Sequence, residues 1–424
     1  MLMPLFASFV ILLVVGCPIA ITLGVSSVLA LIAGAGFDLT ITMQRMFNAV
    51  NSFPLMAIPF FMLAGTLMEQ GGISKRIIKF ADAFLGHITG GLAVVAVVSC
   101  MIFAAISGSA VATVAAIGAL MVPEMVTRGY SRGLATATVT AAGTTGPIIP
   151  PSTLFVLYAS IAGVSVTDMF MAGYIPGLLM GLVLICIVVF KAKRLDIPKR
   201  EKLSFRQRML AIKEAIAALL APVIIIVGIM SGKFTPTEAG AIGCVYALIV
   251  GKFVYGDLNF KNIFQALKDS ALSSSIIMYL IGTASVFSWI LTVERVPQLI
   301  QTFFMGITQN KYVLLLLITL LLFVVGMLLD SSPAISMLAP VLVPLVKAYG
   351  IDPVHFGIVM SVNLCIGLLT PPVGTCLFVG CRISNLKINT LVKEIWPMIV
   401  GLIIVLLICT FSEGLVMLIP RLLR

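Results

Sequence analysis

Long apolar runs dominate the sequence and recur along its whole length. Most of them are long enough to cross the hydrocarbon core of a bilayer as an α-helix of roughly 20 residues. Hydrophobic residues make up 60% of the 424 residues and charged residues only 10%, whereas a soluble domain carries about 25% charged residues. We therefore predict an all-α polytopic membrane protein, with about 11–12 transmembrane segments plus two re-entrant hairpins. The runs lie near residues 3–36, 54–68, 89–121, 133–165, 169–190, 215–231, 237–255, 272–291, 311–346, 355–385 and 398–420.

Cysteine and histidine give no sign of a metal centre or of a disulfide framework. The eight cysteines are scattered without CxxC spacing, and the two histidines, His87 and His355, lack an HExxH-like context. We therefore expect no cofactor, no catalytic residue and no bound metal other than a coupling ion. Residues 1–17 lack the basic region and the small-residue cleavage site of a removable signal peptide, so we expect them to form a membrane helix.

One short stretch holds much of the positive charge. Residues 191–213 contain nine Lys and Arg against two acidic residues, and an excess of this kind in a short loop marks the cytoplasmic side of a membrane. We predict a basic cytoplasmic linker at 191–214. A patch for anionic lipid or nucleic acid is the alternative, but the topological interpretation accounts for the net charge of +11 without a nucleic-acid partner.

Two of the apolar runs have anomalous lengths. Residues 88–123 carry no charged side chain, and a single helix of that length would span about 54 Å against a hydrocarbon core of about 30 Å. Residues 312–346 repeat the pattern, with Asp330 as their only charge. One crossing followed by a re-entrant hairpin fits such runs, and the Gly, Ala and Ser content after Ile106 suits tight packing. We predict hairpins at about 106–127 and 328–347.

The two anomalous regions also align with each other. A shift of 221 residues places 106–152 on 327–373 without a gap, and three prolines match in register. This indicates an internal repeat with halves at 1–190 and 215–424. We favour inverted repeats, although about six apolar segments in each half would also suit parallel repeats. The identities are Val122/Val343, Pro123/Pro344, Gly129/Gly350, Gly146/Gly367, Pro150/Pro371 and Pro151/Pro372.

Proline interrupts one long helix in each half. Proline lacks an N–H group and clashes with the carbonyl four residues before it, so Pro150 and Pro371 should free the carbonyls of Gly146 and Gly367. Two further prolines should free those of Gly143 and Leu368. We predict broken helices at about 133–165 and 355–385. Paired interruptions of this kind are the best sequence indication of the ion and substrate site of a secondary transporter.

Four oxygen-rich stretches lie at the predicted hairpin tips and helix breaks, and we predict that they converge. Hydroxyl, carbonyl and carboxylate oxygens suit Na+, a hard cation, while half-helix N-termini offer N–H groups to an anionic substrate. The residues predicted to bind sodium are Ser107, Gly108, Ser109, Gly143, Thr145, Gly146, Asp330, Ser331, Ser332, Gly367 and Thr370. The residues predicted to reach the substrate are Thr144, Asn363 and Thr375.

Each of these candidates also has a structural interpretation. Asp330 is the only ionisable side chain in its run, which favours function, but the Ser-Ser-Pro that follows it also suits a helix N-cap. The 107–109 triplet could serve close helix packing, and Asn363 and Thr375 could be interhelical hydrogen-bonding residues. Other charges are interpreted as segment ends or as membrane-surface faces. These are Glu69, Arg128 and Glu294, and Arg45, Lys75, Arg76 and Lys79.

Five motifs stand out along the chain: "PIAITLG" (18–24), "FPLMAIPFFMLAGTLMEQGGI" (53–73), "GPIIPPS" (146–152), "FTPTEAGAIG" (234–243) and "LLTPPVG" (368–374). Together they resemble one family, the large membrane subunit of TRAP (tripartite ATP-independent periplasmic) transporters. The resemblance implies a sodium-driven importer of organic acids, such as sialic acid or C4-dicarboxylates, in the bacterial inner membrane. It implies a small four-helix membrane subunit and a periplasmic substrate-binding protein as partners. It also implies the ion-transporter fold, in which a transport domain moves elevator-fashion within a scaffold.

Other classes of membrane protein fit the residues less well. A stand-alone sodium/carboxylate symporter is the nearest alternative. An intramembrane enzyme would need a Ser/His pair or two aspartates at membrane depth, whereas Asp330 stands alone. A channel suits an occluded midplane site poorly, and no GxxxxGK[ST] motif for an ATP-driven pump occurs in the sequence.

Overall fold

The computed structural model describes residues 1–34, 37–195 and 202–423. Across these ranges the regular structure is helical, which confirms the predicted all-α fold. A short 3-10 turn, Phe53–Met56, leads directly into the fourth helix. The helices of the first half are α1 (Leu2–Val14), α2 (Ile19–Ala33), α3 (Thr40–Val50), α4 (Ala57–Gln70), α5 (Ile73–Leu85), α6 (Gly91–Ser107), α7 (Ala110–Thr127), α8 (Arg132–Gly143), α9 (Thr153–Ala162) and α10 (Val166–Arg194).

The second half begins beyond the basic linker, of which residues 196–201 lie outside the described ranges. A π-helical turn, Val250–Val254, extends α12 at its C-terminus. The helices are α11 (Phe205–Met230), α12 (Pro236–Ile249), α13 (Phe260–Val293), α14 (Val296–Ile307), α15 (Lys311–Leu328), α16 (Ser331–Ala348), α17 (Pro353–Gly367), α18 (Thr375–Ser384), α19 (Ile388–Phe411), α20 (Glu413–Val416) and α21 (Leu418–Leu423).

Helix length and composition agree with a polytopic membrane protein. In the described ranges, nine helices are long and apolar enough to cross a bilayer. Seven further apolar helices of 10–17 residues include α9, α17 and α18, which are three of the four halves of the interrupted helices. Because such half-helices are each too short to count alone, the predicted figure of about 11–12 spans stays a prediction.

The helix bounds repeat along the chain. Helices α7 and α16 begin and end 221 residues apart, and α8 and α17 begin at the same spacing. The N-cap residues correspond as well: Ser109 matches Asp330, and Ser131 matches Asp352. The shift found in the sequence therefore also relates the helices. The inverted orientation of the halves and their limits stay predictions.

The hairpins differ in extent from the predicted ranges. Residues 110–127 and 331–348 each form a single helix, and the other arms are α6 and α15, which precede the tips. The first tip is Ser107–Ser109, and its Gly108 has a φ of +59°, which a glycine adopts readily. The second tip is Leu329–Ser332. Each of the two long apolar runs is therefore two helices joined at a tip, and not a crossing followed by a separate hairpin.

Both predicted helix interruptions are present. The first break, residues 144–152, separates α8 from α9, and the second break, residues 368–374, separates α17 from α18. The Pro150–Pro151 and Pro371–Pro372 bonds are both cis. Every residue of the first break is buried, whereas Pro372 and Val373 of the second are exposed. After the first break the chain becomes helical again where the Ser152 hydroxyl accepts the Phe155 N–H at 3.2 Å.

The helices pack in two groups, each drawn from both halves of the chain. In the frame group, α1–α5 and α11–α13, helix α13 packs against α2, α3 and α4, while α12 packs against α4. Leu23 and Phe287 belong to a separate apolar cluster of this group, where α1 and α2 meet α13. In the hairpin group, α6–α10 and α15–α19, the hairpin arms surround the interrupted helices. The two groups meet where α4 and α5 contact α6 and where α13 contacts α16.

We expect Gly367→Ala to destabilise the fold. A Cβ atom at Gly367 would collide with the backbone of Gly326, at the contact between α17 and α15, and overpacking of this kind costs about 1–3 kcal/mol. Gly306→Ala in α14 is the matched control, since nothing lies within 4 Å of its Cβ position and alanine favours a helix over glycine. Thermal unfolding of the purified variants in detergent measures the difference. Equal melting temperatures would contradict the close approach of the two helices.

Candidate functional site

A cavity of about 530 Å³ lies between the two hairpin tips and the frame group. The tips contribute Ser107–Ser109 on one side and Asp330–Ser332 on the other. Pro147 and Leu368 reach it from the two breaks, and one face each of α4 and α13 closes the opposite wall. The structure therefore brings both predicted tips, and part of each break, to one space.

The first tip is packed tightly against the first break. A Cβ atom on Gly108 would lie 3.0 Å from the Pro151 carbonyl oxygen, and one on Gly146 would lie 2.7 Å from the carbonyl oxygen of Ser109. The Thr153 hydroxyl donates to the Gly108 carbonyl at 3.4 Å. Glycine is needed at both positions because backbone approaches backbone here. The tip and the break therefore form one crevice lined by oxygen atoms.

The hydroxyl groups of the first tip bond within the tip. The Ser107 and Thr113 hydroxyl oxygens lie 2.9 Å apart, and the Thr113 hydroxyl donates to the Ser109 carbonyl at 2.7 Å. The backbone N–H groups of Ala110 and Val111, in the first turn of α7, have no hydrogen-bond partner among the described residues. Both residues line the cavity. A helix N-terminus with unpaired N–H groups attracts an anion.

The second tip carries a charge where the first carries a hydroxyl. The Asp330 carboxylate caps α16 by accepting the Ser331 N–H at 2.9 Å, and the residue is exposed to the cavity. The N-cap interpretation is therefore correct as to position, and one carboxylate oxygen stays available for another partner. Ser332, in the same turn, also lines the cavity.

The second tip is less closely tied to its break than the first. Gly367 lies against Gly326 near the end of α15, and the Val373 N–H donates to the Met327 carbonyl at 3.2 Å. The Thr370 hydroxyl donates to the Ile366 carbonyl near the C-terminus of α17 at 3.1 Å. These contacts join the second break to α15, the arm before the tip. Among the described residues of the second break, Leu368 is the one that lines the cavity.

The prolines free fewer carbonyls than the sequence predicts. Three of the four carbonyls regain a donor in tight turns: Gly143 accepts from the Gly146 N–H, Gly367 from the Thr370 N–H, and Leu368 from the Cys376 N–H. The Gly146 carbonyl has no hydrogen-bond partner in the described ranges. The prediction is therefore wrong for three positions, because the chain re-forms short-range bonds where the helix stops. It holds for Gly146, beside the first tip.

Several predicted site residues lie away from the cavity. Thr144 and Thr145 are buried, and their hydroxyls donate to the carbonyls of Ala141 and Ala142 in the last turn of α8, each at 2.7 Å. The Asn363 amide donates to the Thr319 carbonyl at 2.7 Å, between α17 and α15. The Thr375 hydroxyl is buried and has no hydrogen-bond partner among the described residues. None of the three predicted substrate residues, Thr144, Asn363 and Thr375, lines the cavity.

Sequence reasoning passed over the frame-group side of the cavity. Thr66 and Glu69 on α4 and Ser273 on α13 line it, although Glu69 was expected to be a segment-end charge. The available signal was a carboxylate one helical turn beyond Gly65, a residue small enough for another backbone to approach. Which face of α4 meets the tip is a tertiary fact that the pattern of residues does not contain.

The electrostatics of the cavity are unusual for an anion site. Its lining holds two carboxylates, Glu69 and Asp330, and no Lys, Arg or His among the described residues. Positive potential comes from the N-termini of α7, α9 and α16, whose first-turn residues line the cavity. The described residues also hold no cluster of three His, Cys, Asp or Glu side chains for a transition metal. The available ligands are hydroxyl, carbonyl and carboxylate oxygens, which suit a hard cation.

Comparison with known proteins identifies the family. Residues 6–415 match the family model described as "Tripartite ATP-independent periplasmic transporter, DctM component". The isethionate TRAP transporter permease protein DctMQ of Oleidesulfovibrio alaskensis is 42% identical over 97% of this chain, which spans 65% of that protein. The sialic acid TRAP transporter large permease SiaM of Vibrio cholerae is 38% identical, covering 97% of this chain and 96% of the relative. The C4-dicarboxylate permease DctM of Pseudomonas aeruginosa is also 38% identical, covering 94% of each.

A solved structure supports the fold. The YdaH transporter of Alcanivorax borkumensis superposes with a TM-score of 0.60 over 88% of both chains, at 18% identity. The resemblance that the sequence motifs carried is confirmed. Its family consists of transport permeases and not of enzymes. The chain therefore belongs to the DctM family of TRAP transporter large permease subunits, and it is a multi-pass protein of the bacterial inner membrane.

Proposed function

We propose that this permease subunit imports an organic acid by sodium symport through an elevator mechanism. A periplasmic binding protein would deliver the acid, and a small four-helix membrane subunit would complete the transporter. Relatives named for sialic acid, C4-dicarboxylates and 2,3-diketo-L-gulonate support an organic acid as the substrate class. The observation that carries the proposal is the meeting of both hairpin tips at one cavity, whose described lining residues offer oxygen ligands but no cationic side chain.

Sodium would bind on the side of each tip that faces its break. At the first tip, Gly146 packs against the Ser109 carbonyl, and its own carbonyl has no hydrogen-bond partner among the described residues. The Ser107 hydroxyl lies 3.5 Å from the same Ser109 carbonyl. An unpaired carbonyl at membrane depth is costly unless it is coordinated, and Na+ is a fitting ligand. At the second tip, the Asp330 carboxylate supplies the negative charge. Both positions use only oxygen atoms, as a hard cation requires.

The substrate carboxylate would bind to the first tip from the cavity side. The unpaired N–H groups of Ala110 and Val111 point an uncompensated helix N-terminus at the cavity, whereas Asp330 already compensates that of α16. Sodium in the crevice behind the tip would add positive potential and fix the tip in place. Each ligand would therefore raise the affinity for the other, by the reciprocity that linkage imposes.

Movement of the hairpin group past the frame group would carry the site across the membrane. The cavity lies between the two groups, with the tips on one side and α4 and α13 on the other. Gly65 on α4 permits close contact, since a Cβ atom there would lie 3.0 Å from the Ser107 Cα. A boundary of small residues suits sliding between packed helices. Access would alternate as the tips move along α4 and α13.

Uptake into proteoliposomes tests this function. The permease, the small subunit and the binding protein would be supplied with labelled sialic acid, D-gluconate or succinate, with and without an inward sodium gradient. We expect saturable uptake of at least one acid that requires both the gradient and the binding protein. Uptake that ignores sodium would contradict the proposal. Sodium-driven uptake without the binding protein would identify a stand-alone symporter instead.

We expect Asp330→Asn to raise the sodium concentration for half-maximal uptake by about tenfold or more, because a carboxylate ligand is replaced by a neutral one. Asparagine caps helices well, so the fold should persist. Asp352→Asn is the matched control, since Asp352 is also an aspartate at a helix N-cap, that of α17, but does not line the cavity. Sodium titration of uptake, normalised to the amount of protein in the membrane, measures both variants. Equal sodium dependence in the two variants would exclude Asp330 as a ligand.

A further inference from the structure

One face of α4 runs along the cavity from the first tip towards a carboxylate. Met62, Gly65, Thr66 and Glu69 line the cavity, at the spacing of a single helix face. Gly65 is the point at which α4 touches Ser107 of the tip. Glu69 is four residues further on, which places its Cα about 6 Å along the helix axis from that contact. A substrate bound at the tip by one end therefore presents its other end to Glu69.

The Glu69 side chain is free to contact a substrate. It is half-buried in the cavity wall, and it makes no hydrogen bond or ion pair with the described residues. Its neighbour Thr66 is engaged, since the Thr66 hydroxyl donates to the Met62 carbonyl at 2.9 Å and accepts from the Ser270 hydroxyl at 3.2 Å. Ser273, on the facing helix, lines the same wall. This end of the cavity thus offers a carboxylate and a hydroxyl.

The chemistry of this wall discriminates between two kinds of acid. A substrate hydroxyl can donate a hydrogen bond to the Glu69 carboxylate, and a hydrogen bond to a charged acceptor is stronger than a neutral one. A second substrate carboxylate at the same place would meet a like charge, and no Lys, Arg or His among the described lining residues would offset it. Repulsion of the wrong ligand is an established source of specificity.

We propose that this permease selects hydroxylated monocarboxylates of the sugar-acid type against dicarboxylates, and that Glu69 sets the choice. The inference rests on the proposed function, because it takes the tip of α7 as the carboxylate end of the site. The carboxylate of the acid lies at the N-terminus of α7, and its terminal hydroxyl groups lie at Glu69 and Ser273. The cavity itself thus adds a selection step after delivery.

The test uses two acids that differ only at the far end. D-gluconate and D-glucarate share a six-carbon hydroxylated chain, but glucarate ends in a second carboxylate where gluconate ends in a hydroxymethyl group. Sodium-dependent binding of each to the detergent-purified permease is measured by isothermal titration calorimetry, without the binding protein, so that only the cavity selects. We expect gluconate to bind at least about tenfold more tightly than glucarate, from like-charge repulsion.

Variants at two carboxylates separate the local effect of Glu69 from the effect of removing any one negative charge. Glu69→Gln should reduce the gluconate preference by about tenfold, mainly through tighter glucarate binding, while Glu69→Asp should keep the preference. Glu124→Gln is the matched control. Glu124 is an exposed residue near the C-terminus of α7 that pairs with Arg128 at 3.2 Å and does not line the cavity. This variant should leave the ratio of affinities unchanged.

The outcomes separate the role assigned to Glu69 from the proposed transport function. A wild-type preference for glucarate, an unchanged ratio in a folded Glu69→Gln protein, or binding of neither acid would overturn the assignment of Glu69. Sodium-driven uptake of any organic acid in the proteoliposome assay would still uphold the proposed function. If that assay shows no sodium dependence for any acid, the proposed function fails, and the inference fails with it.

Discussion

The structure depends on one constraint: within a membrane, every backbone polar group needs a partner. A helix meets this demand by itself, so a chain that interrupts two of its helices must cover the exposed backbone with protein. The first break is covered completely, with Gly108 and Gly146 bringing the tip within contact of it. Because the tip is needed to bury the break, hairpin and interrupted helix form one unit. Of the four carbonyls considered, that of Gly146 has no hydrogen-bond partner among the described residues, and an ion can coordinate it.

The parts of the fold that follow from local chemistry could be predicted from the sequence. Proline and glycine act on their own neighbours, so both breaks, the tips and the spacing of 221 residues were evident before the structure. The hairpin bounds were not, because a charge-free run does not show where one helix stops and the next begins. Here the stop is Gly108, whose left-handed conformation is visible only once the tip is built. Three predicted free carbonyls were lost to turns of a few residues.

The candidate site was predicted on one side only. Ser107–Ser109 and Asp330–Ser332 were identified because each is a polar stretch in an apolar run, and both line the cavity. Glu69 was set aside because its run ends shortly afterwards, and nothing in its local sequence says that α4 turns this residue towards the tip. Thr144, Asn363 and Thr375 show the opposite error. They are polar and close to the breaks in sequence, but their helices direct them to neighbouring backbone or to the protein interior.

The repeat places a serine and an aspartate at equivalent positions, and this difference has an electrical consequence. Asp330 belongs to the hairpin group, so an elevator would carry its charge through the membrane field. If one sodium ion binds at each tip and the substrate brings one carboxylate, the two positive charges would balance the substrate and Asp330. In the empty site the Asp330 charge would stay unbalanced. The interior of a bacterium is negative, and a potential of 100 mV acts on one charge with about 2.3 kcal/mol if the charge crosses the whole field. The membrane voltage would therefore act on the empty carrier and favour the return of the vacant, negatively charged site towards the periplasm.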